Sequence, residues 1–186
     1  EGCVPAHLAA VLPPLEQAGC RVRTWRDAVA ITVPERLGSL GWVRTMPYPG
    51  FPTDAQAPLM AAALRADGTT VFTETIFQNR YRHVSEMARM GARVRTEGRV
   101  AIVTGVPRLH GASVRCTDLR GGAALCAAAL AAEGQSVIAE IHHIERGYEH
   151  LDESLRQLGA NITRSDHETE AEETQTEQPT TSEEGA

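Results

Sequence analysis

Residues 45–83, TMPYPGFPTDAQAPLMAAALRADGTTVFTETIFQNRYRH, read as a strand exit, a helix and a strand in direct succession. Pro47, Pro49 and Pro52 stiffen an extended approach to Thr53 and Asp54, where a helix opens. Either side chain can accept hydrogen bonds from the first free backbone N–H groups, and Gln56, three residues after Thr53, completes a capping-box pattern. Pro58 has no N–H, so it fits only while the helix is in its opening turn. The helix is expected over 54–66, ending before Gly68, a residue suited to a left-handed C-terminal cap. The β-branched run TTVFTETIF, 69–77, is then a strand, with Asn79 and Arg80 at its exit.

Outward from this stretch the pattern recurs. Before it stand a helical stripe over 6–18 (Leu8, Val11, Leu12, Leu15), closed by Gly19, and three strands, CRVRT, AVAITV and GWVRTM. After it come a short helix over 83–90 closed by Gly91, three strands (RVRT, RVAIVTG, ASVRCT), a helix from Thr117 or Asp118 toward Gly134, and the strand QSVIAEI. A third start follows: helix YEHLDESLRQL, Gly159 and a strand ANITR. The order helix, three strands, helix, strand therefore occurs twice and begins again. AGCRV, MGARV and LGANI echo one another, as do PTDAQ and CTDLR; Gly68 and Gly134, Glu74 and Glu140, and Arg80 and Arg146 are each 66 positions apart. Such self-similarity predicts an α/β domain of repeated helix/strand units, with alanine-rich central helices packed closely behind sheets that face outward.

Composition narrows the function classes. The segment 165–186, SDHETEAEETQTEQPTTSEEGA, has no large apolar side chain and reads as an acidic disordered tail, leaving 1–164 as the folded domain. That tail holds eight of the 24 acidic residues and none of the 18 basic ones, so the remainder is slightly basic although the chain is at −6. Every basic residue is Arg, the side chain suited to bidentate contact with phosphate or carboxylate, which points to small anionic ligands. Aromatics are only 4% and basic runs are absent, against a nucleic-acid surface. No stretch approaches the roughly 20 apolar residues of a membrane span, and a cytoplasmic location is expected. Cys3, Cys20, Cys116 and Cys126 lack metal-ligand spacing and read as reduced, mostly buried thiols. His142 and His143, adjacent on an expected strand, would face opposite ways, so no metal site is expected. The chain opens on Glu1 rather than Met and enters a helical pattern almost at once, as a piece of a longer protein would.

The repeats put Asp54 and Asp118 at helix starts and Arg80 and Arg146 at strand exits, all toward one end of the domain, with Arg120 two residues past Asp118. Helix N-termini flanked by guanidinium groups form an anion site. Thr-Asp before a helix is also ordinary capping, and Arg80 and Arg146 would equally serve structural ion pairs with Glu74, Glu140, Glu145 or Glu149. Cys116 has no His partner placed by spacing.

The segments PYPGFPTDAQAP, TETIFQNRYRHVSEMARMGA, GASVRCTDLRGGAALCAAALAAEG and HHIERGYEHLDESLRQLGANI resemble, in order and spacing, the C-terminal domain of the UDP-N-acetylglucosamine 1-carboxyvinyltransferase family of enolpyruvyl transferases. The resemblance runs from about residue 6 to 164. It implies an inside-out α/β barrel of pseudo-threefold repeats, two such domains enclosing the substrates. It also implies transfer of the enolpyruvyl group of phosphoenolpyruvate to the 3′-hydroxyl of UDP-N-acetylglucosamine, with release of phosphate and no metal or other cofactor. On that pattern Asp54 binds the hydroxyl and is the candidate general base, Ile76 touches the UDP-sugar through its backbone, and Arg80 lines the cleft. Arg120 and Arg146 match arginines on the phosphoenolpyruvate side, and Asp118 matches a second active-site carboxylate. The family's general-acid cysteine or aspartate belongs to its N-terminal domain, which this chain lacks, so the chain is expected to need that domain and to be inactive alone. The sister reaction on 3-phosphoshikimate, or a non-catalytic half-barrel binding a sugar nucleotide, are the competing expectations.

Overall fold

The structure, a computed structural model, describes residues 1–165. The expected acidic tail lies outside the described residues apart from Ser165.

A short 3₁₀ turn, Pro5–Leu8, leads to α1 (Leu12–Gln17), the hairpin β1 (Arg21–Thr24) and β2 (Val29–Thr32), then β3 (Trp42–Arg44), α2 (Thr53–Ala63) and β4 (Thr69–Thr73). The second unit runs α3 (Val84–Arg89), hairpin β5 (Arg93–Glu97) and β6 (Val100–Thr104), the two-residue β7 (Leu109–His110), β8 (Ser113–Arg115), α4 (Leu119–Leu130), the two-residue β9 (Ala132–Glu133) and β10 (Val137–Ala139). Two short helices close the described chain, α5 (His142–Glu145) and α6 (Leu151–Gln157).

Each unit follows one plan. Its last two long strands are parallel, β3 with β4 and β8 with β10, and a parallel pair needs a crossover, here supplied by α2 and α4. The hairpins β1/β2 and β5/β6 are antiparallel, and β6 also pairs antiparallel with β4, giving a sheet of order β3-β4-β6-β5 that joins the units. α2 and α4 pack on one another behind the strands, and Ala57, Met60 and Ala61 of the one and Ala124, Leu125 and Ala128 of the other are buried in the same core. Phe72, Ala101 and Val103 of the sheet belong to the same core and are 0% exposed. The helix-to-strand turns match as the repeat requires: Gly68 and Gly134 both take left-handed φ, +93° and +90°. Among the described residues no helix is long and apolar enough to cross a membrane.

Several expected boundaries differ. The helix expected over 6–18 is broken, because Pro13 and Pro14 lack N–H groups and are tolerated only in a first turn, so α1 restarts at Leu12. Pro58 lies in the second turn of α2 rather than the first, opposite Asp54, whose carbonyl therefore has no N–H four residues on to receive. ANITR forms no strand and pairs with none among the described residues. The segment containing His142 and His143 is a helical turn, not a strand, and the two rings meet at a tilt of 37° with centroids 4.1 Å apart.

Candidate active site

The start of α2 does not use its Thr-Asp pair as a cap. Its N-cap residue is Pro52, no side chain bonds the free N–H groups, and Thr53 and Asp54 are the first two helical residues. Gln56 completes no capping box; it is fully buried. At α4 the same dipeptide sits two residues earlier relative to the helix. Asp118 is the N-cap, and its Oδ1 accepts from the backbone N–H of Arg120 at 3.1 Å and Gly121 at 2.8 Å. The two TD pairs are therefore not equivalent. The position matching Asp54 in the second unit is Arg120, 66 residues on.

Freed from capping, the Asp54 carboxylate stands at the rim with its side chain 57% exposed and each oxygen taken by a different guanidinium. Oδ1 accepts from Arg80 Nη2 and Oδ2 from Arg120 Nη2, both at 2.9 Å. The arginines are more enclosed, at 18% and 26% exposure, and each is braced by an aromatic ring. Arg80 lies over Phe77 at 5.4 Å, and Arg120 lies over Tyr148 at 5.3 Å while also donating to its hydroxyl at 2.9 Å. The Arg120 hydrogen bond, with the charges of both arginines behind it, holds the Asp54 carboxyl below its ordinary value, outweighing the upward push of partial burial. The group is a deprotonated carboxylate with guanidinium forks on both sides.

Arg80 pairs with Asp54, not with the glutamates also considered for it. The Arg146 side chain makes no ion pair or hydrogen bond among the described residues, and the residue is exposed. Its loop nevertheless packs on the α4 start: a Cβ on Gly147 would lie 2.7 Å from Leu119 Cδ2, and Tyr148 holds Arg120. Ile76, 37% exposed, sits in the exit loop of β4 with its N–H bonded to Glu74 Oε1 at 2.8 Å; its carbonyl is not used by any described residue. Thus Asp54, Arg80 and Arg120 are joined directly, Asp118 caps the helix that carries Arg120, and Ile76 and Arg146 occupy adjoining loops.

Two further groups lie behind this rim. His83 is fully buried and neither ring nitrogen has a protein partner; burial pushes its pKa down to about 4 despite the nearby Asp118 charge. Glu74, also buried, accepts hydrogen bonds from Thr45, Thr53, Ile76 and Phe77. The sequence showed Glu74 as one half of a 66-residue echo but not as this junction, because its donors come from three separate segments of the chain. All four cysteines are free; burial pushes Cys116 up to about 12 and Cys126 to about 11, so neither is a thiolate at neutral pH. Among the described residues no group of three or more His, Cys, Asp or Glu is arranged to hold a metal ion.

Comparison with known proteins adds the following. The family profile described as EPSP synthase (3-phosphoshikimate 1-carboxyvinyltransferase) matches residues 1–155. The chain is 50% identical over 164 residues to UDP-N-acetylglucosamine 1-carboxyvinyltransferase 1 of Symbiobacterium thermophilum, covering 88% of this chain and 37% of that protein. It is 46% identical over 168 residues to the UDP-N-acetylglucosamine 1-carboxyvinyltransferase of Desulfofundulus thermocisternus, covering 90% of this chain and 69% of that one. Among solved structures, the enolpyruvyl transferase NikO from Streptomyces tendae superposes with a TM-score of 0.76 at 32% identity, over 84% of this chain and 36% of NikO. The EPSP synthase of Acinetobacter baumannii, at 18% identity and a TM-score of 0.60 over 85% of this chain and 37% of its own, shares the fold. The chain spans well under half the length of most of these relatives, 37% and 38% of the first two matched in Symbiobacterium thermophilum.

Proposed function

The chain belongs to the EPSP synthase family of enolpyruvyl transferases, and from that premise we propose that it forms the C-terminal part of an enzyme acting on UDP-N-acetylglucosamine. The reaction is transfer of the enolpyruvyl group of phosphoenolpyruvate to the sugar 3′-hydroxyl. A C–O bond forms between that oxygen and C2 of the donor, the bond from C2 to the phosphate oxygen breaks, and inorganic phosphate leaves. The hydroxyl proton goes to a carboxylate; the proton that C3 gains transiently is supplied from a part of the enzyme that this chain does not carry.

The observation that carries this reading is the Asp54 carboxylate held between Arg80 and Arg120 at 2.9 Å from each. Asp54 receives the hydroxyl and its proton; positioned proton transfer of this kind contributes roughly 100- to 10,000-fold. A carboxylate held below its ordinary pKa is a weak base while both guanidiniums remain on it. The donor, itself an anion with a carboxylate and a phosphate, competes for the same forks, and Arg120 together with the unengaged Arg146 serves it. As that exchange proceeds Asp54 regains basicity when the acceptor needs it. Arg80 stays on the cleft wall, the Ile76 carbonyl meets the sugar nucleotide, and Asp118 keeps Arg120 aimed by capping α4. The domain assignment is 1–164, its partner the family's N-terminal domain, and the working compartment the cytoplasm. No cofactor, nucleic acid or membrane enters this scheme. The 186-residue chain alone is inactive in it.

The test is acceptor-dependent phosphate release by the full-length protein with phosphoenolpyruvate. Release that requires UDP-N-acetylglucosamine supports the reading; release that requires 3-phosphoshikimate instead assigns the sister reaction, and release with neither overturns the enzyme reading. The relatives named for the UDP-sugar reaction at 46% and 50% identity favour the first outcome.

A further inference from the structure

We propose that Glu74 is the positioning residue for the acceptor side of this site, one buried carboxylate that fixes the Ile76 loop and the Asp54-bearing helix start against each other. Glu74 is 1% exposed and has no cationic partner among the described residues. A lone buried carboxylate is costly unless hydrogen-bond donors surround it, and here four do. Oε1 accepts from the Thr45 hydroxyl at 3.0 Å and from the N–H groups of Ile76 at 2.8 Å and Phe77 at 3.1 Å. Oε2 accepts from the Thr53 hydroxyl at 2.9 Å. One oxygen thus grips the loop after β4 and the other grips the first residue of α2, next to Asp54.

The repeat shows that the fold does not need this carboxylate. Thr45 N–H bonds the Thr73 carbonyl at 3.0 Å, and Cys116 N–H bonds the Ala139 carbonyl at 2.9 Å, so Cys116 stands in the second unit where Thr45 stands in the first. Leu119, first residue of α4, likewise matches Thr53. With both hydroxyl donors replaced, the matching Glu140 turns outward, its side chain 48% exposed and its ion-pair partner among the described residues His142 at 3.4 Å. The same strand–helix junction closes in the second unit without a buried carboxylate. Among the described residues the device exists only in the unit whose loop bears Ile76 and Arg80 and whose helix bears Asp54.

This inference rests on the function proposed above, in which Ile76 and Asp54 meet the sugar nucleotide while Arg120 and Arg146, from the second unit, meet the donor. In the full-length protein Glu74→Ala is expected to raise KM for UDP-N-acetylglucosamine at least ~10-fold and to leave KM for phosphoenolpyruvate within ~3-fold, since misplacing bound groups by about an ångström costs that much and more. Glu74→Gln can accept at Oε1 and donate from Nε2 to the Thr53 oxygen, so it returns the acceptor KM to within ~3-fold of the parent. Should Glu74→Ala not fold, Thr53→Val removes the helix-side bond alone and is expected to raise the same KM by ~3- to 10-fold. A parallel rise in both KM values, an unchanged acceptor KM, or failure of Gln to restore it overturns the proposal. Asp54→Asn run alongside separates the two readings: if it turns over normally the functional reading fails, and if it is inactive while Glu74→Ala matches the parent only the present inference fails.

Discussion

Asp54 and Arg120 occupy the same place, the second residue of α2 and of α4, and their side chains bond at 2.9 Å across the junction of the two repeats. Duplication brought two helix starts side by side, and opposite charges at the matched position turned that contact into an ion pair at the rim. The TD dipeptide is offset by two residues between the copies, so one copy keeps its aspartate as a cap and the other releases it. A cap satisfies backbone N–H groups and is no longer available for a ligand; the released aspartate is.

Asp54→Asn removes the charge that both arginines face but keeps the shape. In the full-length protein kcat is expected to fall by roughly 100- to 10,000-fold. Thermal stability should change little, because ion pairs with a half-exposed partner contribute about 0–1 kcal/mol. Phosphate-release kinetics and a melting curve check both halves; a kcat within a few-fold of the parent rejects the base assignment.

Arg120→Gln tests the electrostatics. Arg120 is the largest influence lowering the Asp54 pKa, so its removal lets that pKa rise toward the ordinary value of 3.8. For a group whose folded pKa is depressed, the associated stability is present above the unfolded pKa and lost as pH falls through the folded one. The acid limb of kcat/KM, which Asp54 places below the ordinary carboxylate value in the parent, should therefore shift upward in the variant, while the Asp54 contribution to the acid loss of stability should shrink. An unshifted limb in the residual activity would show that Arg120 does not set the ionisation of Asp54.

What could be read from the chain follows from where each signal lives. The repeat, the glycine turns at 68 and 134 and the alanine-rich central helices are local or periodic, and all reappear in the structure. The meeting of Asp54 with Arg80 and Arg120 depends on which side of a helix start each residue falls, a two-residue matter of register that the matching letters TD concealed. His142 and His143 went to a helical turn because a β-branched run does not fix where a three-residue strand ends. Glu74 required four donors from three separate segments, which no spacing displays.

His83 should make the fold acid-sensitive well above the carboxylate range. Its pKa is pushed down from 6.5 to about 4 by burial, so between these values the unfolded chain binds a proton that the native state does not. Stability is then full above pH 6.5 and declines as pH falls toward 4, by an amount on the order of 1–3 kcal/mol. Among charged neighbours Asp118 opposes this shift and Arg80 reinforces it. His83→Phe, similar in volume, should flatten the decline between pH 6.5 and 4.5 in urea titrations; an equally steep decline in the variant would place the sensitive group elsewhere.

Gly122→Ala weighs helix propensity against close packing. In an open helix the change would stabilise by up to ~1 kcal/mol. Here an added Cβ would lie 2.7 Å from Ile144 Cγ1 and 3.0 Å from Cys116 Sγ, inside the small cluster that seats α5 on α4. Overpacking of this kind costs about 1–3 kcal/mol, so the net effect should be destabilising. Because α5 leads directly into the loop of Arg146 and Tyr148, the strain should also loosen the Tyr148 hold on Arg120. Denaturant unfolding reads the first effect, and a rise in KM for phosphoenolpyruvate in the full-length protein reads the second. A stabilised variant with unchanged kinetics would mean that α5 yields without cost and does not support the donor side.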